Sequence, residues 1–182
     1  MIVNKTHPLT PVDFRPELRI VRGYQVATKA AGPLRSLLRA GERAGHQLKI
    51  ASAFRSYDYQ QGIHAQLVAE QGQRAADKVS ARPGHSEHQT GLAIDLQTWD
   101  DPECAISSCF GKTPAGVWLS NHAWEYGFIV RYAEANQDIT GYSPEPWHFR
   151  YVGRPLSWEL HRAGAGSLEE FFGVGGGDYP EQ

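Results

Sequence analysis

Residues 86–97, SEHQTGLAIDLQ, decide how this chain is read. From Gly91 onward the residues alternate, so Leu92, Ile94 and Leu96 share one face of a short strand and Asp95 points to the other. The residues ahead of the strand are polar and turn-forming. The loop residue His88 can therefore fold back over the start of the strand, toward the carboxylate seven positions on. A second stretch, residues 144–150, PEPWHFR, carries Glu145 and His148 three apart around Pro146. Proline biases the residue before it toward extended backbone and cannot continue a helix. Residues 146–153 thus read as another strand, with Trp147 turned away from His148, toward the core or else the cleft wall, core packing being the expectation.

Outward from these two stretches the pattern mixes helices and strands. Leu34, Leu37, Leu38 and Ala44 recur at helical spacing over residues 33–45, which open on a proline suited to a first turn and close at Gly45. Residues 46–54, HQLKIASAF, alternate as a strand running into Arg55. Residues 56–72 read as an amphipathic helix with Ser56 at its cap and Gly72 at its end. A helix over 113–127, a strand over 127–132 and short helices over 154–164 and 167–172 complete the pattern. Without regular strand–helix alternation the expected class is α+β, with a small antiparallel sheet flanked by helices.

The chain has 182 residues, 41% of them apolar, enough for one substantial core. A single domain over 1–182 is expected, with an extended arm over 1–24 and a flexible tail over the glycine-rich 173–182. The 18 basic and 20 acidic residues are scattered and sum to −2, which leaves no nucleic-acid footprint. No run approaches the ~18 apolar residues of a membrane span, and the first residues lack a signal-peptide core. A monomer is expected. Cys104 and Cys109 lie in a turn-rich stretch. If bridged, they imply an oxidising compartment and a native leader absent from this chain; if they are free thiols, the cytosol is compatible.

His88, Asp95 and His148 form a three-ligand N/O set, which leaves a fourth tetrahedral position of zinc open, as in a catalytic site. Glu145 is placed to act as the base. Arg55, between a strand and a helix, can reach over a scissile carbonyl and stabilise its developing charge. Isolated histidines and acids usually have no such duty, and the chain has eight histidines. The pairing of His-x(6)-Asp with a downstream Glu-x-x-His is far more specific than either motif alone. His85 lacks the spacing to Asp95 and reads as a loop residue; His64, His122 and His161 lie in helical patterns and receive no chemistry. Tyr142, Arg131 and Tyr151 are candidates for the cleft wall or for bonds to the ligands.

SEHQTGLAID resembles the S-x-H-x(6)-D element, and EPWH the E-x-W-H element, of the lysostaphin, D-Ala-D-Ala metallopeptidase and hedgehog zinc superfamily. VNKTHPL, SAFRSYDYQ, WLSNHAWEYGFIVRY, TGYSPEPWHFRYVG and LEEFF are similar, in the same order, to VanY-type D,D-carboxypeptidases. The resemblance implies one Zn2+ held by His88, Asp95 and His148, and Glu145 as general base. It strengthens the reading of Arg55 and implies substrate-holding roles for Ser86 and Gln60. The implied reaction removes terminal D-alanine from a peptidoglycan stem peptide or its precursor in the cell envelope, for wall remodelling or glycopeptide resistance. An L,D-carboxypeptidase, a D,D-dipeptidase or an endopeptidase would use the same zinc set. A silent zinc-containing binding module is the rival of another class, and retention of Glu145 and Arg55 argues against it.

Overall fold

In the computed structural model, which describes residues 1–180, the chain opens with β1 (Leu18–Val21), β2 (Tyr24–Ala27) and α1 (Thr28–Arg43). β3 (Leu48–Ser52), α2 (Tyr57–Gln71), α3 (Gln73–Val79) and β4 (Ala93–Thr98) follow. Then come α4 (Pro114–His122), β5 (Phe128–Tyr132), α5 (Gln137–Thr140), β6 (Glu145–Tyr151), α6 (Arg154–Ala163) and α7 (Leu168–Phe172). The α+β class holds. Four strands form one antiparallel sheet in the order β3-β4-β6-β5, and β1 and β2 form a separate hairpin.

The alternation around Asp95 divides the sheet into a core face and a cleft face. Ile94 stands opposite Phe149 and Asp95 opposite His148 in the β4–β6 register. Ile50 pairs with Leu96, and Val130 with Phe149, on the core side. Leu34, Leu37 and Leu38 of α1 pack there with Leu119, Phe110 and Phe128, all essentially without exposed surface. Each such side chain contributes about 1.5–3 kcal/mol by leaving water. Trp147, half-buried, packs against this core as expected.

Four expectations need correction. α1 starts at Thr28, so Pro33 lies inside the helix rather than in its first turn. Ala30 and Ala31 extend the buried face upstream and offset the amide bond that Pro33 cannot make. The arm over 1–24 is partly the β1–β2 hairpin, whose turn residues Arg22 and Gly23 both have positive φ (48° and 86°). This is the turn twist that suits a two-residue hairpin loop. α2 is not amphipathic in the ordinary sense, because the residues it buries are Gln60 and His64. α3, which follows Gly72, was not foreseen.

The tail over 173–182, expected to be flexible, folds against the body as far as Tyr179. Gly175 O accepts from Asn4 Nδ2 and Thr6 Oγ1, and Tyr179 OH accepts from Arg82 N at 2.7 Å. A Cβ at Gly176 would collide with the carbonyl of Ile139, so the glycine run permits close packing. Residues 181 and 182 lie outside the described residues. Cys104 and Cys109 are joined in a disulfide with Cα atoms 5.3 Å apart. Among the described residues, no helix is long and apolar enough to cross a membrane.

Candidate metal centre

His88 comes from a buried 3₁₀ turn, Glu87–Thr90, that ends at Gly91 in the left-handed conformation (φ 66°). A Cβ at Gly91 would press on the backbone of Ala27, whose N–H donates to Gly91 O at 2.8 Å. That contact fixes the turn against the hairpin and aims His88 over β4. His88 Nδ1 donates to Ala53 O at 2.6 Å, which leaves Nε2 bare. Nε2 lies 3.3 Å from Asp95 Oδ2, and His148 Nδ1 lies 3.6 Å from Asp95 Oδ1. One ligand atom from each of the three residues falls within 4.8 Å of the others.

Glu145 and His148 are an odd number of residues apart and would face opposite sides of a regular strand. The pairing of β5 with β6 shifts between Val130↔Phe149 and Tyr132↔Glu145, so the strand is not regular between Glu145 and His148. Glu145 lines the same cleft as His148, with Oε2 at 3.3 Å from His148 Nδ1. All four side chains are nearly sealed from solvent, at 3–15% exposure.

The electrostatics suit a cation. Burial, with Arg55 adding to it, pushes His88 down to about 4, so its imidazole is neutral. Burial alone would raise Asp95, but His88, His148 and Arg55 hold it at about 2. Burial raises Glu145 against the opposing pull of His148, the direction that suits a proton acceptor working near neutrality. Burial would lower His148, yet Glu145, Glu87 and Asp95 bring it up to about 9. Among the described residues, His88 Nε2 and Asp95 Oδ1 are buried without a hydrogen-bond partner. Unpaired buried donors and acceptors of this kind are costly, and a divalent ion between a neutral imidazole, a second imidazole and a carboxylate satisfies them. The donor set fits zinc.

The remaining expected residues gather around this cluster. Arg55 Nη1 donates to Gln60 Oε1 at 3.1 Å and Nη2 to Asp95 Oδ2 at 3.4 Å. Gln60, fully buried, spends its amide nitrogen on Ser80 Oγ and Ala81 O. Its contacts orient Arg55 and the 80–81 wall. Ser86, Tyr132 and Tyr142 line the same cleft. The ring of Tyr132 stands edge-on to His148 with centroids 4.8 Å apart. Tyr151 packs against Phe128 in the core instead. His85 bonds to Asn4 O and His64 to Asp77, away from the cluster.

Sequence reasoning passed over Glu87. It is fully buried, and its carboxylate contacts Arg131, Arg150 and His148. Only its place inside the SEH run marks it, because its partners lie 44 to 63 residues away.

Residues 23–154 match the family model described as VanY, D-alanyl-D-alanine carboxypeptidase. This chain belongs to the VanY family. Among curated relatives, the Bacillus subtilis (strain 168) protein YodJ is 38% identical over 161 residues, 88% of this chain and 58% of YodJ. The chain thus spans about three fifths of that relative's length. The solved LdcB LD-carboxypeptidase superposes with a TM-score of 0.85 at 35% identity, over 94% of this chain and 84% of its own. A variant of the vancomycin-resistance D,D-pentapeptidase VanY, solved in complex with Zn(II), gives 0.81 at 32% identity, over 94% and 97%. The VanY membership and the zinc-bound relative agree with the donor set found at His88, Asp95 and His148.

Proposed function

We propose that this chain is a zinc D,D-carboxypeptidase that hydrolyses the terminal D-Ala-D-Ala bond of peptidoglycan stem peptides or their precursors, as one catalytic unit. The observation that carries the reading is the convergence of His88, Asp95 and His148 on a cleft that also holds Glu145 and Arg55, with His88 Nε2 and Asp95 Oδ1 unsatisfied among the described residues. His88 through Nε2, Asp95, and His148 through Nδ1 would hold the zinc, which when bound would supply a Lewis acid for the scissile carbonyl and a water of pKa about 7.

The protein's own groups do the rest. Glu145, raised by burial, accepts the proton of the attacking water and returns it to the departing amine, so no covalent enzyme intermediate forms. Arg55, held by Gln60, offers a guanidinium to the carbonyl oxygen as charge develops on it. Ser86 lines the cleft beside the ligands and is the candidate to hold the peptide. The Cys104–Cys109 disulfide supports an extracytoplasmic location. A role in wall remodelling or glycopeptide resistance follows from the same cleavage.

The test is mass spectrometry of a muramyl pentapeptide ending in D-Ala-D-Ala, incubated with zinc-loaded protein and with Glu145→Ala. Loss of one alanine by the wild type alone is expected. Cleavage only of a tetrapeptide would move the activity to the L,D class. Loss of a dipeptide would make the protein a D,D-dipeptidase. No cleavage of either substrate would refute the enzymatic reading and favour a binding module.

A further inference from the structure

The two oxygens of Glu87 are used differently. Oε1 accepts from Arg131 Nε at 2.9 Å and from Arg150 Nη1 at 2.6 Å. Among the described residues Oε2 has no hydrogen-bond partner, and it faces His148 Nε2, which has none either, across 3.5 Å. The surrounding charges are already balanced. Arg131 makes a fork to Glu169, with Nη1 to Oε2 at 2.9 Å and Nη2 to Oε1 at 2.6 Å, and Asn4 Nδ2 also donates to Glu169 Oε1. Arg150 Nη2 donates to Met1 O at 2.8 Å. Two guanidiniums and two carboxylates cancel, and Glu87 Oε2 is the one carboxylate oxygen of the four with no donor among the described residues.

We propose that Glu87 is the positioning residue for His148: its Oε2 accepts the Nε2–H proton and thereby fixes the tautomer and ring angle that turn Nδ1 toward the metal. This inference rests on the zinc reading above. It gives the two histidines opposite settings. His88 donates from Nδ1 to the Ala53 carbonyl and ligates through Nε2, whereas His148 donates from Nε2 to a carboxylate and ligates through Nδ1. Adjacent residues of one 3₁₀ turn thus supply one ligand and the holder of the other. A carboxylate behind a ligating imidazole raises its basicity, and removing such a partner typically weakens metal binding by about 10–100-fold. The first and last parts of the chain take part, because Asn4 and Glu169 brace Arg131 and the Met1 carbonyl braces Arg150.

The experiment compares wild type, Glu87→Gln and Glu169→Gln by chelator-competition zinc titration, with long-range proton–nitrogen NMR of the imidazoles. Glu169→Gln removes the same charge from the same buried network without touching His148. We expect His148 to show a protonated Nε2 and a metal-bound Nδ1 in the zinc-loaded wild type. Glu87→Gln should bind zinc about 10–100-fold more weakly, and Glu169→Gln should stay close to wild type. Equal losses in the two variants, or none in Glu87→Gln, would reduce Glu87 to a counter-charge for the arginines and overturn the inference alone. If Glu87→Gln does not fold, the wild-type spectrum decides, since an unprotonated or metal-bound Nε2 contradicts the proposal. Failure of the wild type to bind zinc would remove the zinc reading and this inference together.

Discussion

Raising the pH from 7 to 9 should strengthen zinc binding by about two orders of magnitude, because zinc and a proton compete for His148. Only a neutral imidazole ligates. In the metal-free protein the pKa of His148 is raised to about 9, since acceptance by Glu145 and Glu87 and the charge of Asp95 outweigh burial. A raised pKa means that the proton stabilises the metal-free fold fully below the ordinary value near 6.5, and that this contribution is lost as pH rises through about 9. Zinc, which must displace the proton, gains over the same window. At pH 7 about one molecule in a hundred carries neutral His148, so affinity rises about tenfold per pH unit and levels above 9. His88 and Asp95, at about 4 and about 2, add no slope there. The assay is zinc titration against a chelator of known pH dependence, together with calorimetry in two buffers of different ionisation enthalpy. About one proton should be released per zinc near pH 7.5. A flat affinity between pH 7 and 8.5 with no proton release would refute the reasoning.

Three further outcomes are expected. Arg55→Lys cannot bridge Gln60 and Asp95 as the fork does, so kcat for D-alanine release should fall about 10²–10³-fold with bound zinc unchanged; turnover near wild type would remove Arg55 from the chemistry. Asp77, bonded to Arg82, Gln73 and His64, has its pKa lowered from 3.8 to about 2, and its side chain is 12% exposed. Asp77→Asn should therefore cost about 2 kcal/mol in urea unfolding at pH 7, and the gap should close as pH falls from about 4 to 2; a gap independent of pH would contradict this. Leu34→Ala, at a site with no exposed surface, should cost about 2–5 kcal/mol, read by thermal unfolding of the metal-free protein.

Both decisive strands were legible from the alternation in LAIDL and the Pro146 signal in PEPWHFR, and the metal set was marked by His-x(6)-Asp together with Glu-x-x-His and by the family resemblance these motifs carry. The Ser56 cap and Gly72 stop of α2 were equally readable, since Ser56 Oγ accepts from Tyr59 N as a cap should. What stayed hidden depends on partners distant in sequence. Pro33 looked like a helix start because proline signals local geometry, whereas Ala30 and Ala31 are drawn into the helix by packing. Glu87 looked like loop polarity because only folding brings Arg131 and Arg150 to it. Gln60, marked only by resemblance, lines the cleft, and its bonds to Arg55, Ser80 and Ala81 could not be read from the sequence.

The register of β4 against β6 restricts how this chain can change. Ile94↔Phe149 and Asp95↔His148 are neighbouring rungs, one feeding the core and the next the cleft. Deleting a single residue within either strand would send a carboxylate or an imidazole into a dry apolar layer and an isoleucine or phenylalanine toward the metal. Around the cleft, length changes are therefore tolerable where no rung is counted, as in the 79–86 wall and the 133–144 connection ahead of Glu145. A lineage adapting its cleavage preference would lengthen or shorten those two segments around an unvarying pair of rungs.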